Sequence, residues 1–336
     1  MPTPSATAKS SNLPQHLWTI AKILVSVGVL IFLLTRLNRA DLLERFASAD
    51  LLWLGLALVL YFGALLLGVL KWHLLVRAQH LAIPFWQLAS FSFAGLFLGN
   101  VLPTNIGGDL VRAAMLAKAS HGTTEAAAIS VVVDRMLGFA AFFGITLISA
   151  VLAVGLLTSS TELEAIETAT LIVALIFVFA SALFFSRRIA RQLARIFEIE
   201  WFARFKPLAS RLYHAIQMYR FNYVALAMNF AISTSILVVA TLAWYSVARS
   251  LGLHISLIYF FMFNPLITFV LLLPISFNGL GPKEATTVFF FGLIGVPSEA
   301  AFALSLLFHA IVVLTSLPGG IFVVRNPTDQ LGSSQK

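Results

Sequence analysis

Asp109 and Arg112 are the first residues in the chain whose type and spacing suggest chemistry. They lie three residues apart, so on a helix they share one face. Gly107 and Gly108 precede them and expose backbone N–H groups where a helix begins, an electropositive end that suits an anionic group such as a phosphate. Two roles stay open: direct contact with a ligand, or a cap formed by Asp109 while Arg112 pairs with Asp134.

Asp134 and Arg135 stand next to each other in an apolar run. Adjacent residues point away from each other on a helix, so each needs a partner elsewhere. The pattern predicts Arg112 as the partner of Asp134 and Asp109 as the partner of Arg135. Such a quartet is either a network that locks helices together or a gate that breaks and reforms.

A second group of candidates lies after a Leu-Pro pair in the last quarter of the chain. Lys283 would place a cation near the start of a helix, where it suits a phosphate. The alternatives are that Lys283 and Glu284 pair with charges elsewhere, or that Lys283 extends to a membrane interface. His309 is assigned to packing. The candidate binding residues are Asn100, Pro103, Gly107, Gly108, Asp109, Arg112, Asp134, Arg135, Asn278, Gly279, Gly281, Lys283 and Glu284.

Several classes of protein are excluded by what the sequence lacks. It has no cysteine, so disulfides, thiolate metal sites and cysteine nucleophiles are ruled out. No catalytic, metal-binding or phosphate-loop motif is present, so no cofactor is expected, and ATP-driven work would need another subunit. The net charge of +8 is assigned to cytoplasmic loops rather than to a nucleic-acid partner.

The composition indicates a membrane protein, because 60% of the 336 residues are apolar and only 11% are charged. A spanning helix needs about 20 mostly apolar residues. The sequence therefore predicts an all-α polytopic protein with six full spans, and the first is read as retained rather than cleaved. The six stretches are approximately residues 18–35, 51–70, 136–157, 168–186, 223–246 and 299–324.

Two further apolar segments, residues 85–116 and 257–293, are interrupted by proline and glycine and predict broken helices. Non-helical backbone at membrane depth persists only where protein or a watery cavity satisfies it. We expect re-entrant hairpins inside the bundle. The basic segment 187–222 then faces the cytoplasm together with both termini, since short cytoplasmic loops are rich in Lys and Arg. If the hairpins crossed fully, both termini would lie outside.

The chain divides into a polar tail (1–17), one transmembrane domain (18–325) and a second polar tail (326–336). Within the domain, residues 18–157 and 168–325 each read as span, span, hairpin, span in opposite senses. The breaks VLPTNIGGDLVRAA and LLPISFNGLGPKEA are alike. This pattern predicts a possible inverted repeat, as in transporters whose binding site lies between the halves.

Three ordered motifs carry a family resemblance: N-x-LP-x3-GGD-x2-R from Asn100, VVVDR-x2-G from Val131, and P-x-S-x-NGLG-x-KE from Pro274. Together the motifs resemble the lysylphosphatidylglycerol synthase transmembrane region, or flippase-like domain, over about residues 18–325. The longer members of that family add a cytosolic aminoacyl-transfer domain, and only about a dozen residues follow the last span here. The resemblance therefore implies lipid handling and argues against lysyl transfer.

Three functions are carried forward. The first is translocation of a phospholipid or another anionic or aminoacylated lipid through a site formed by the two broken helices. The second is an intramembrane lipid-modifying enzyme with Asp109 or Asp134 as general base. The third is a scaffold for lipid or envelope synthesis proteins. The expected partners are membrane lipids, and the resemblance implies a bacterial inner membrane.

Overall fold

A computed structural model describes residues 13–101, 107–120, 124–156, 222–271, 276 and 278–325. Every regular element within these ranges is an α-helix. In chain order the described helices are α1 (Leu13–Arg36), α2 (Arg39–Ala47), α3 (Leu51–Ala78), α4 (Phe85–Val101), α5 (Gly107–Ala119), α6 (Thr124–Leu156), α7 (Tyr223–Ser250), α8 (Leu257–Leu271), α9 (Pro282–Gly292) and α10 (Ser298–Arg325).

Four stretches of helix in the described chain are long and apolar enough to cross a membrane: Leu51–Ala78, Ala126–Ile145, Tyr223–Ser250 and Ser298–Val324. A fifth would be α1 with α2, which meet at a bend of 97°. Large apolar side chains such as those of Leu52 and Val324 are exposed, as expected of a lipid-facing surface. The predicted span 168–186 and the basic segment 187–222, except for its last residue, lie outside the described residues.

The first broken segment folds back on itself. Gly95 of α4 and Gly108 of α5 lie so close that a Cβ on Gly95 would stand 2.5 Å from the Gly108 carbonyl oxygen, and a Cβ on Gly108 would meet the Gly95 carbonyl oxygen. Gly99 also lies against Gly108. Side chains at these positions would hold the two helices apart, so the glycines are what allow this close packing.

The second broken segment forms a similar hairpin, in which aromatic rings pack between the two helices. Phe263 of α8 stacks on Phe290 of α9 at 5.5 Å between centroids and meets Phe291 edge-on at 5.3 Å. The turn contains left-handed backbone at Asn278, where φ is +49°, and at Gly279, where φ is +75°. Glycine and asparagine are the residues that adopt this conformation most readily.

The helices of the two halves pack reciprocally. Helix α3 lies along α7, the first hairpin's α4 packs on the last span α10, and the second hairpin's α8 packs on α6. Gly319 of α10 contacts α4 so closely that a Cβ there would collide with the Phe93 carbonyl. Each hairpin thus packs against the final span of the other half. This is the pairing that a two-fold relation would produce, and the half-repeat boundaries themselves stay a prediction.

Two predicted span boundaries are wrong. The third span does not start at residue 136, because α6 begins at Thr124. The second span does not end at residue 70, because α3 continues to Ala78. Trp72, Leu75 and Val76 are completely buried, so the apolar face of the helix extends past the charge at position 71. Lys71 is therefore part of the helix bundle and not of a loop.

Candidate functional site

Asp134 lies at the centre of a buried charge cluster formed by α3, α5, α6 and α7. Its carboxylate is 3.3 Å from Lys71 Nζ and 3.2 Å from the Arg112 guanidinium, and its side chain is only 4% exposed. The Asn229 amide also donates to it at 3.4 Å. A carboxylate buried this deeply is retained only when opposite charges and donors surround it, and here three side chains do so.

Asp109 forms the second centre of the cluster. Arg135 binds its Oδ2, and Arg112 Nε lies 3.0 Å from its Oδ1, although not at a hydrogen-bonding angle. Arg112 therefore bridges the two carboxylates. Both predicted pairs, Arg112 with Asp134 and Arg135 with Asp109, are confirmed. The capping role of Asp109 stays a prediction, because the residue before α5 lies outside the described ranges.

Neighbouring side chains fix the orientation of these cations. The Arg112 guanidinium lies over the Trp72 ring at 5.0 Å, and the Trp72 indole N–H donates to Ser130 at 3.1 Å. Lys71 Nζ donates to Ser233 Oγ at 3.4 Å. Because these supports come from three helices, the geometry of the cluster depends on the whole bundle and not on one segment.

A cavity of about 620 Å³ opens beside the charge cluster. Both hairpins reach it, and Asn278 Nδ2 of the second donates to Asn100 Oδ1 of the first at 3.2 Å. The two breaks, 178 residues apart in sequence, therefore meet at one point. The predicted site residues that line the cavity are Asn100, Gly108, Asp109, Arg112, Asp134, Arg135 and Asn278.

Other predicted residues are placed elsewhere. Gly107 is buried in α5 without lining the cavity, and Gly279 and Gly281 shape the turn before α9. Gly281 has φ of +88°, and its Cα faces α1 so closely that a Cβ would stand 3.0 Å from the Ser26 carbonyl oxygen. Pro103 lies outside the described residues.

Lys283 and Glu284 do not line the cavity either. Glu284 is fully buried and accepts the Gly281 N–H at 2.7 Å and the Ser305 hydroxyl at 3.2 Å, so it caps its own helix. Lys283 Nζ lies 4.9 Å from the centroid of the Phe308 ring, and no described carboxylate is within 4.0 Å of it. Its role as a headgroup ligand stays a prediction.

Three residues of the cluster escaped sequence reasoning: Lys71, Asn229 and Ser233. Lys71 carried a signal, since the sequence LLLGVLKWHLLV is apolar on both sides of the charge and a charge inside a span marks a functional or paired position. Asn229 and Ser233 lie four residues apart on α7 and had no distinguishing pattern. Among the described residues no group of three or more His, Asp or Glu could hold a metal ion.

Apolar spans around an internal charged cavity define a polytopic helical membrane protein. More particularly, the chain belongs to the lysylphosphatidylglycerol synthase transmembrane region family, whose sequence profile matches residues 19–319.

Two curated relatives are archaeal. One is a UPF0104 membrane protein of Pyrococcus horikoshii, 23% identical over 324 residues, which cover 90% of this chain and 96% of the relative. The other is a UPF0104 membrane protein of Methanothermobacter thermautotrophicus, 24% identical over 298 residues, which cover 84% of this chain and 88% of the relative.

Proposed function

We propose that the protein binds a lipid with an anionic headgroup in the cavity between its two hairpins and moves that lipid across the membrane. The observation that carries the proposal is the charge of the cavity. Three cations, Lys71, Arg112 and Arg135, face two carboxylates, Asp109 and Asp134, so the described cluster has one excess positive charge. An anion entering the cavity would neutralise that excess.

The cavity has the size and lining for such a ligand. Its volume of about 620 Å³ lies within the roughly 300–1,000 Å³ range of small-molecule sites. Away from the charges most of its described lining is apolar, with Leu65, Phe93, Leu96, Phe139 and Ile236 among the wall residues. A polar group can therefore bind the charges while an attached apolar chain contacts the walls.

Arg135 is the cation best placed to receive the headgroup. Its side chain is 42% exposed and Asp109 is its only described ion-pair partner, whereas Arg112 is 14% exposed and shared between two carboxylates. A phosphate beside Arg135 would replace or join Asp109 as its partner. Asp134 would stay bound to Lys71 and keep the helices together. Only the more exposed Arg135–Asp109 pair would exchange its carboxylate for the phosphate.

The hairpins supply a means of movement. A single hydrogen bond between neutral side chains, Asn100 to Asn278, joins the two breaks in the described structure, and such a bond contributes roughly 1 kcal/mol. Broken helices meeting between two halves are also the arrangement by which several transporter classes expose a central site alternately.

The enzyme alternative receives less support from the geometry. A general base needs a carboxylate free to accept a proton, and both Asp109 and Asp134 are bound by two cations each. The scaffold alternative predicts that substitutions in the cluster leave lipid movement unchanged.

The test is lipid movement in proteoliposomes that carry fluorescent phospholipids, followed by a membrane-impermeant quencher. Arg135→Gln and Arg112→Gln each leave every carboxylate with at least one cation, so both variants should fold. We expect the rate to fall by about tenfold or more, since a charge-assisted hydrogen bond contributes about 1.5–3 kcal/mol. Arg39→Gln removes an exposed cation outside the cavity and should keep the wild-type rate.

Two results would contradict the proposal. One is folded wild-type protein that neither binds nor moves any lipid in the panel. The other is a loss of rate in Arg39→Gln equal to that in Arg135→Gln, which would assign the effect to overall charge and not to the cavity.

A further inference from the structure

The cavity contains buried side-chain donors that make no hydrogen bond within the described chain. Five described residues have a buried side-chain nitrogen or oxygen without a hydrogen bond, and three of them line this one cavity: Ser92 through Oγ, Asn100 through Nδ2 and Arg112 through Nε. Buried polar atoms in proteins are almost always paired, so a cluster of exceptions calls for an explanation. An acceptor-rich ligand would satisfy all three.

Ser92 differs from Ser90, the nearby serine on α4, in its hydrogen bonding. Helical serines commonly donate to a carbonyl of the preceding turn, as Ser90 on the same helix does to Gln87 at 2.7 Å. Ser92 makes no such bond in the structure. Its hydroxyl is therefore available to a group inside the cavity.

The donors follow one line. Ser92 and Asn100 are eight residues apart on α4, with Leu96 between them, so they share a face and lie roughly 12 Å apart along the axis at about 1.5 Å per residue. Arg112 is adjacent to the middle of this line, since a Cβ on Gly95 would stand 3.5 Å from Arg112 Cβ. The Arg112 side chain thus starts between the two neutral donors.

The described lining offers no free carboxylate to a cationic headgroup. Its only carboxylates are those of Asp109 and Asp134, and each already binds two cations. An ammonium has N–H donors and no acceptor, so in place of a polyol it would leave Ser92 or Asn100 without a partner.

Resting on the proposed function, we infer that the cavity selects a phosphodiester lipid whose headgroup is an uncharged polyol, and that it rejects headgroups carrying an amine. The phosphate lies at Arg112 and Arg135. Acceptor oxygens on either side of it reach Ser92 and Asn100, one set from the polyol and the other from the glycerol and ester oxygens of the lipid. A phosphodiester with a three-carbon polyol on each side is long enough for this.

The test is competition for a labelled phosphatidylglycerol bound to the detergent-solubilised protein. Phosphatidylglycerol and phosphatidylinositol should displace the label at concentrations about tenfold lower than lysyl-phosphatidylglycerol or phosphatidylethanolamine. Phosphatidic acid, which has the phosphate without a headgroup, should fall between them. If the amine-bearing lipids compete as well as the polyol lipids, the inference is wrong while the proposed function stands. If the labelled lipid does not bind and no other lipid binds or moves, both fail.

Variants of the two neutral donors, Ser92 and Asn100, show which of them contacts the polyol headgroup. Ser92→Ala and Asn100→Ala should each weaken phosphatidylglycerol binding by about 2- to 10-fold, the equivalent of one lost hydrogen bond. The donor that touches the polyol should leave phosphatidic acid binding unchanged, and the other should weaken both lipids equally. Ser90→Ala is the matched control on α4 and should alter neither. Wild-type binding in both donor variants would overturn the inference.

Discussion

Replacing Asp134 by asparagine tests the charge cluster most directly. The substitution keeps the shape of the side chain and removes the charge that Lys71 and Arg112 share. Two cations are then left in a buried site, with Asp109 near only one of them. We expect a large loss of stability because unpaired buried charge is among the most destabilising features a protein can contain.

The magnitude follows from the distances. At 3.3 Å and an effective dielectric constant of about 20, one ion pair corresponds to roughly 5 kcal/mol of Coulomb attraction, and breaking a buried pair costs about 3–5 kcal/mol. Asp109→Asn should cost less, about 1–2 kcal/mol, because its partner Arg135 is 42% exposed and can be hydrated. The predicted order of destabilisation is therefore Asp134 well above Asp109.

The assay is unfolding of the purified protein in detergent, followed by tryptophan fluorescence, as a double-mutant cycle. Lys71→Met removes one of the two cations stranded by Asp134→Asn, so the double variant should be more stable than the sum of the single effects by about 2–3 kcal/mol. Additive effects, or equal destabilisation by Asp134→Asn and Asp109→Asn, would refute the account of Asp134 as the buried centre of the network.

Two further predictions concern the hairpins. Gly108→Ala should destabilise the protein by about 1–3 kcal/mol in the same unfolding assay, because its Cβ would collide with the backbone of α4, whereas Gly63→Ala, with no atom within 4 Å, should change stability by less than about 1 kcal/mol. Glu284→Ala should cost about 2–4 kcal/mol by leaving the Gly281 N–H and the Ser305 hydroxyl without their acceptor. Glu284→Gln, which keeps a side-chain acceptor, should recover part of that loss; equal effects of alanine and glutamine would contradict the capping role.

Much of the helix plan was predictable because it depends on local sequence. Apolar stretches of spanning length produced α3, α7 and α10, and proline with glycine marked both breaks. Helix geometry also predicted that Asp134 and Arg135 could not pair with each other. With few ionisable groups in the apolar core, that constraint was enough to find both partners.

The contents of the cavity were not predictable in the same way. Lys71 lies 63 residues from Asp134 in sequence, and only the packing of α3 against α6 brings them together. Lys283 and Glu284 resemble the first hairpin's charges in sequence, yet their helix turns them away from the cavity, and Glu284 serves as a cap.

The sequence by itself determined that the chain crosses a membrane, where its helices break, and which charges must find partners, because hydropathy and backbone preference act over a few turns. Only the tertiary structure decided that the two breaks meet at Asn100 and Asn278, that Lys71 completes the cluster, and that a line of donors faces the cavity. Those features arise from contacts between residues far apart in the chain, and no local pattern specifies them.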